Sequence, residues 1–400
     1  MREPAGEKPA PIPVPPVTAD RGPVPLLDVS RGNQLLEGEI DAAIRAVVKS
    51  GRFLHGPEVR DLEERVAALS GAKHAIACAS GSDALLVPLM ALGLGPGDEV
   101  ICPSFTFFAT ASAVWRMGAT PVFVDIDPNT YNLDPNCVQD AVTARTRAII
   151  PVHLFGQCAD MTAIAEIADR RGIVVIEDAA QAIGAEHDGR GAGSMGWVGA
   201  FSFYPTKNLG GMGDGGLMTC QDDVTAERLR LYANHGMNPR YHHSVVGINS
   251  RLDTIQAAVL GVKLRWLDTW TAARRRNAAL YDKLLTTSGL AEDVTLPTET
   301  DVSKHAWNQY TLRVPFGQRD AVRKHLADRQ IGSEIYYPIP LHQQECFKSL
   351  GYKPGSLPHT ERAAKEVLSL PIFPELRPDE QRSVVEGLAS FYRGRQRLAA

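Results

Sequence analysis

The sequence contains no closely spaced pair of cysteines. Its six cysteines, Cys78, Cys102, Cys137, Cys158, Cys220 and Cys346, are scattered without a CxxC motif. That excludes a disulfide framework and a zinc knuckle, predicts no metal site, and reads as reduced, mostly packed thiols of a cytoplasmic protein. Long apolar runs are also missing: the longest, Val100 to Trp115, is broken by Pro103 and several Ser and Thr. It is too short and too polar to cross a bilayer, so no membrane span is predicted. Nor is there an excess of one charge, since 42 Lys plus Arg face 46 Asp plus Glu for a formal charge of -4. Nothing in that balance recruits nucleic acid or an anionic membrane surface. No internal repeat of fixed period is present.

What remains is a long chain of ordinary globular composition, 400 residues with 44% hydrophobic and 22% charged content. That length suits two to three domains with a sizeable core. Residues 1–25 carry Pro4, Pro9, Pro11, Pro13, Pro15, Pro16, Pro23 and Pro25 and few large apolar groups, which predicts a flexible tail. It lacks the pattern of a secretory signal. Amphipathic stretches at Leu35–Val48 and Pro57–Leu69 then lead into apolar runs at Ala75–Ala79, Glu99–Pro103, Pro121–Asp125, Arg147–His153 and Ile173–Asp178. Their spacing suits strands joined by crossover helices, hence a mostly parallel sheet flanked by helices in a large α/β domain over residues 26–270.

Beyond Gly199, two further strands, Ala200–Tyr204 and Gly216–Cys220, flank a Gly-rich link. A helix-rich stretch follows over Leu252–Leu285, with Arg274, Arg275 and Arg276 expected on a solvated face. A strand at Asn308–Val314 and helices at Arg319–Arg329 and Glu361–Leu368 predict a smaller C-terminal α/β domain over residues 271–400.

Four features carry possible chemistry. Ile173–Ile176 ends in Glu177 and Asp178, which sets a carboxylate at the C-terminal edge of a buried strand, where open parallel sheets bind ligands. A buried carboxylate there requires a cationic or donating partner. Lys207 follows a strand within Tyr204-Pro205-Thr206-Lys207-Asn208-Leu209-Gly210-Gly211, and in an enclosed turn a lysine can serve as a Schiff-base amine. Ser80-Gly81-Ser82-Asp83 precedes the apolar helical pattern Ala84–Leu92. Free amides and hydroxyls meet there, either as a phosphate cradle or as a plain cap by Ser82 or Asp83. Ser104-Phe105-Thr106-Phe107-Phe108 is an aromatic cluster beyond a strand end, suited to lie over a planar ring or to fill a core. Together these make the inventory of a pyridoxal phosphate site.

The sequence resembles the DegT/DnrJ/StrS class of sugar-nucleotide aminotransferases, a branch of the fold-type-I pyridoxal phosphate enzymes, from about Pro25 to the C-terminus. The resemblance is carried by Gly81-Ser82-Asp83-Ala84-Leu85, Gly95-Pro96-Gly97-Asp98-Glu99-Val100, Pro103-Ser104-Phe105-Thr106, Val124-Asp125-Ile126-Asp127 and Pro151-Val152-His153-Leu154-Phe155-Gly156. It continues through Glu177-Asp178-Ala179-Ala180-Gln181, Ser202-Phe203-Tyr204-Pro205-Thr206-Lys207-Asn208-Leu209, Gly213-Asp214-Gly215-Gly216 and Asn249-Ser250-Arg251-Leu252-Asp253.

The resemblance implies a cofactor, pyridoxal 5'-phosphate, with pyridoxamine 5'-phosphate as its amino form between two half-reactions. Lys207 would hold the cofactor and shuttle the proton, Asp178 would pair with the pyridine nitrogen, and Gln181 would touch the ring hydroxyl. Gly81, Ser82 and Ser202 would hold the phosphate, and Phe107 would stack on the ring. It further implies a homodimer with shared sites, in which Asn249 reaches the partner's cofactor.

Within the class, Gly156-Gln157-Cys158-Ala159-Asp160, Tyr131-Asn132-Leu133-Asp134-Pro135 and Tyr337-Pro338-Ile339-Pro340-Leu341 are most similar to members that aminate UDP-2-acetamido-2-deoxy-3-oxo-glucuronate with L-glutamate. Arg251 would then bind a carboxylate, and Tyr336, Tyr337 and His342 would line the sugar pocket. Tyr336 stands where this resemblance leads one to expect His. A dTDP- or GDP-linked keto-deoxysugar substrate and a cofactor-binding regulatory protein are the alternatives. A sugar dehydratase of the same scaffold would carry His in place of Lys207. A nicotinamide dehydrogenase would open its first crossover helix with fingerprint glycines, whereas Gly93, Gly95 and Gly97 follow a helix here.

Overall fold

A computed structural model describes residues 22–399 of the chain. Most of the expected tail, residues 1–21, lies outside that range; Val24 is buried and bridges Ile331, so the chain is anchored from that point on.

Strands β1 (His74–Cys78), β2 (Glu99–Pro103), β3 (Thr120–Val124), β4 (Thr146–Ile149), β5 (Val174–Asp178), β6 (Glu186–His187), β7 (Arg190–Gly191), β8 (Val198–Ser202) and β9 (Gly216–Cys220) follow in chain order. Seven of them form one sheet, ordered β1-β9-β8-β5-β4-β2-β3. Strand β9 runs antiparallel to both β1 and β8, while the other neighbours pair in parallel. Six strands therefore share one direction, and their carboxyl ends line a single edge.

The sheet is apolar on both faces because helices cover both. Ile76, Cys78, Val100, Cys102 and Ile176 pack with Leu85, Leu89 and Val114 on one side. The alternate residues face the other way: Ala75 and Ala77 meet Leu62 and Val66, and Ile101, Ile149 and Val175 meet Ile164 and Ile167. This is the period-2 alternation of a sheet buried on both faces. Each fully buried Leu, Ile or Val contributes on the order of 2 kcal/mol, so the edge that carries the candidate site rests on a rigid base.

The remaining strands are β10 (Ser303–Lys304), which joins β6 and β7, and β11 (Tyr310–Arg313), which pairs antiparallel with β12 (Val367–Leu370). The boundary expected near residue 270 falls inside the helix Leu267–Thr287, which runs from the large sheet into the C-terminal part. Two expectations are corrected. The helix expected over Glu361–Leu368 ends at Glu366, and Val367–Leu370 is strand, as its β-branched and leucine-rich composition at a buried position favours. Arg274 does not face solvent: it is buried, and Nη1 donates to the carbonyls of Trp307 and Ile372, both at 3.0 Å. Carbonyls of two loops converge on that helix, and the guanidinium satisfies them. Among the described residues, no helix is long and apolar enough to cross a membrane.

Candidate functional site

Asp178 is the last residue of β5 and is buried. Thr110 Oγ1 donates to Asp178 Oδ2 at 2.8 Å, and the Ala180 amide donates to Oδ1 at 3.3 Å. Burial pushes the carboxyl above its ordinary value, against the opposing pull of those two donors and of Lys207. Thr106 stands 3.0 Å from Thr110, hydroxyl to hydroxyl, so the segment after β2 reaches the carboxylate through a threonine relay. No salt bridge reaches Asp178 among the described residues, which leaves its oxygens able to take a cationic N–H.

Glu177, one residue earlier, points to the other face and is fully committed. It accepts from the amides of Gly193, Met195 and Gly196 and from His153 Nε2 at 2.9 Å. The Ala159 amide donates to His153 Nδ1, so the ring proton sits on Nε2. Desolvation alone would raise the Glu177 carboxyl, yet the histidine and the amides hold it below its ordinary value. Its role is to tie the segment before β8 to β5.

Lys207 lies in the link between β8 and β9, its amide bonded to the Tyr204 carbonyl at 2.8 Å. The residue as a whole keeps some accessible surface, but enough protein surrounds the amine that desolvation lowers its pKa to about 8, with Asp178 pulling the other way. That lowered value makes the amine a fair nucleophile near neutral pH. The Asn208 amide group donates to the Ala306 carbonyl at 2.8 Å and accepts from Asn308 at 2.9 Å, which fixes the residue beside it.

The helix Gly81–Leu92 starts at the same edge, beyond β1. Its cap is Ser80, whose hydroxyl accepts from the Asp83 amide at 3.2 Å, rather than Ser82 or Asp83. The amides of Gly81 and Ser82 precede the first helical hydrogen bond and are free to hold an anion. Gly81 lies so close to Ser202 that a methyl group added to it would come within 2.6 Å of Ser202 Cβ. Only glycine lets helix start and strand end meet there.

The aromatic cluster divides. Phe105 is buried in the core and Phe108 packs on Phe347, whereas Phe107 is exposed with its ring centroid 6.2 Å from that of Tyr337. Tyr337 accepts from Gln181 Nε2 at 3.2 Å, and Gln181 Oε1 accepts from the Phe155 amide at 2.6 Å. Tyr336 packs edge-on against Tyr337.

Three of the expected residues stand apart. His342 is buried, with Nδ1 2.7 Å from Ser104 Oγ and Nε2 3.3 Å from Glu361; with both ring nitrogens engaged, it buttresses the segment after β2. Arg251 bonds Asn234 at 3.3 Å and lines a cleft with His55, Glu63 and Arg230 that Lys207 does not border. Asn249 is exposed and bridges Asn234. Thr110 and Lys263 were not singled out from the sequence: a threonine in a helix and a lysine in an apolar helix give no pattern, and only the fold brings them to Asp178 and to the Lys207 link.

The residues that do converge fit pyridoxal phosphate. A buried carboxylate without an ion pair, an amine of lowered pKa, free amides against a glycine that admits no side chain and an exposed ring form the donor set it requires. Residues 34–389 match the model of the DegT/DnrJ/EryC1/StrS aminotransferase family. The chain is 53% identical over 92% of its length, and over 99% of the other chain, to the pleiotropic regulatory protein of Geobacillus stearothermophilus. It is 45% identical to the UDP-2-acetamido-2-deoxy-3-oxo-D-glucuronate aminotransferase of Pseudomonas aeruginosa, covering 88% of this chain and 96% of that one. Among solved structures, S. venezuelae DesV in complex with a ketimine intermediate superposes with a TM-score of 0.89 at 44% identity, covering 92% of this chain and 98% of that one.

Proposed function

The chain belongs to the DegT/DnrJ/EryC1/StrS aminotransferase family of pyridoxal phosphate enzymes, and we propose that it carries an amino group from L-glutamate to the C3 keto carbon of a nucleotide sugar. When bound, the cofactor supplies an aldehyde that condenses with amines and a ring that accepts the electrons released as a carbon–hydrogen bond breaks. The observation that carries this reading is the convergence of Lys207 and Asp178 at one sheet edge, each shifted by burial and each opposing the other's shift.

The residues divide the work by their chemistry. Lys207 is the amine that would hold the cofactor and would serve as base and acid for the substrate proton. Asp178, steadied by Thr110, keeps a proton on the ring nitrogen through its negative charge. The Gly81 and Ser82 amides, at a positive helix terminus, and the Ser202 hydroxyl hold the phosphate. Phe107 would stack on the cofactor ring, and Gln181, oriented by Phe155 and Tyr337, would bind its hydroxyl. Tyr336 and Tyr337 border the sugar side. Arg251 and Asn249, which flank Ser250 beside the Ala79–Asp83 segment, would complete the site of a second copy in a cytoplasmic homodimer, with Arg251 binding a carboxylate.

The substrate we favour is a UDP-2-acetamido-2-deoxy-3-oxo sugar of the glucuronate type, supported by the similarity to the P. aeruginosa aminotransferase. A dTDP-linked keto-deoxysugar is the second reading, favoured by a 45% identical dTDP-3-amino-3,4,6-trideoxy-alpha-D-glucose transaminase of Streptomyces venezuelae. Single-turnover transfer from glutamate-treated enzyme to each keto sugar separates them. Faster amination of the UDP sugar supports the first, faster amination of the dTDP sugar the second, and transfer to neither leaves the regulatory reading suggested by the name of the G. stearothermophilus relative.

A further inference from the structure

Lys263 is a buried lysine behind the link that carries Lys207. It lies in the helix Thr254–Leu264, is 4% exposed, and its Nζ donates to the Gly210 carbonyl at 2.8 Å. The described residues supply it no ion pair. Lys207 and Lys263 border one small cavity, together with Asn208, Gly210, Arg274 and Glu375. Desolvation, with no charge opposing it, lowers the pKa of Lys263 to about 8. Burying an uncompensated amine is costly, and an apolar side chain would pack there more favourably, so the lysine calls for a use.

The use is visible in the hydrogen bonds of the link. Gly210 cannot carry a side chain, because a methyl group would come within 2.3 Å of the Pro205 carbonyl oxygen. The two ends of the turn are thus pressed together, and the Gly210 carbonyl accepts from Lys263. One face of the same helix also supplies Gln256, whose Oε1 accepts from the Met212 amide at 2.8 Å. Seven residues separate Gln256 from Lys263, two helical turns, so one rigid rod grips the link at both Gly210 and Met212.

We infer that Lys263 is a positioning residue for Lys207: through the Gly210 carbonyl it holds the turn that keeps the Lys207 amine enclosed and aimed at the edge of the sheet. The inference rests on the reading of Lys207 as the cofactor lysine.

The test is competitive acetylation of lysines in the cofactor-free protein with trace acetic anhydride at a series of pH values, read peptide by peptide by mass spectrometry. Lys263→Met removes the donor at nearly constant volume and, as it relieves a buried charge, should leave the fold intact; Lys263→Leu repeats the test in a second apolar variant. In the wild type Lys207 should titrate near 8. In both apolar variants the titration should move toward the ordinary lysine value by roughly one unit as the turn loosens and water reaches the amine. Lys263→Gln, which keeps a donor, should restore the wild-type titration. An unchanged Lys207 titration in the folded apolar variants would overturn the inference and leave Lys263 a packing residue. Failure of wild-type protein to take up cofactor at Lys207 would strike the functional reading instead, a separate result from the titration.

Discussion

Thr110 Oγ1 lies 2.8 Å from Asp178 Oδ2 and donates to it from the helix Ala109–Arg116, which follows β2. The bond ties this helix to the end of β5 and steadies a buried carboxylate that has no ion pair among the described residues. In Thr110→Val, Asp178 retains only the Ala180 amide, and a hydrogen bond to a charged group is worth about 2 kcal/mol. Pyridoxal phosphate affinity should fall roughly 10-fold or more. Equilibrium dialysis showing equal affinity for both proteins would contradict the role.

Asp178 itself should cost the cofactor-free protein stability. Its native pKa is raised above the unfolded value of 3.8, so the native state binds the proton more readily and stability declines as pH rises from about 3.8 through the native value. Asp178→Asn should therefore melt higher than wild type at neutral pH, with the gap closing in acid, while amino-group exchange is lost. Thermal melts across that range measure both signs.

Glu177 should behave in the opposite sense. Its native pKa lies below the ordinary 4.5, so its contribution is present above about 4.5 and lost as pH falls through the native value. Glu177→Gln presents an amide to three backbone N–H donors and His153, and should lose about 2 kcal/mol or more at neutral pH. Denaturant titrations at neutral and acid pH check the magnitude and its pH dependence.

Gly81→Ala sets a methyl group against Ser202. Overpacking of this kind costs about 1 to 3 kcal/mol, and the clash should be relieved in Gly81→Ala combined with Ser202→Gly. Recovery of the melting temperature in the double variant, with phosphate affinity still weak for want of the Ser202 hydroxyl, is the expected pattern.

The sheet was legible because its strands are continuous apolar runs separated by amphipathic stretches. The expected Glu99–Pro103 matches the observed strand end for end, and the other runs fall within a few residues of theirs. Asp178 and Lys207 stood out because the first ends a buried strand and the second lies in the link after another. The rest depended on contacts between distant segments. Arg274 reads as part of a charged face until the carbonyls of Trp307 and Ile372 come to it from far along the chain. The contact of His342 Nδ1 with Ser104, 238 residues away, leaves no mark in the sequence around either residue. The cap of the helix at Gly81 fell two residues before Ser82, the nearer of the expected pair, because Ser80 has the extended backbone that a cap needs.

The central claim, that Lys207 holds pyridoxal phosphate in a site that takes nitrogen from glutamate, is tested most directly by the visible absorption spectrum of the loaded protein before and after adding L-glutamate. The account predicts a coloured band that bleaches with glutamate, and no such band in Lys207→Ala, whose fold should persist. A band that ignores glutamate, or one that survives in Lys207→Ala, would contradict it.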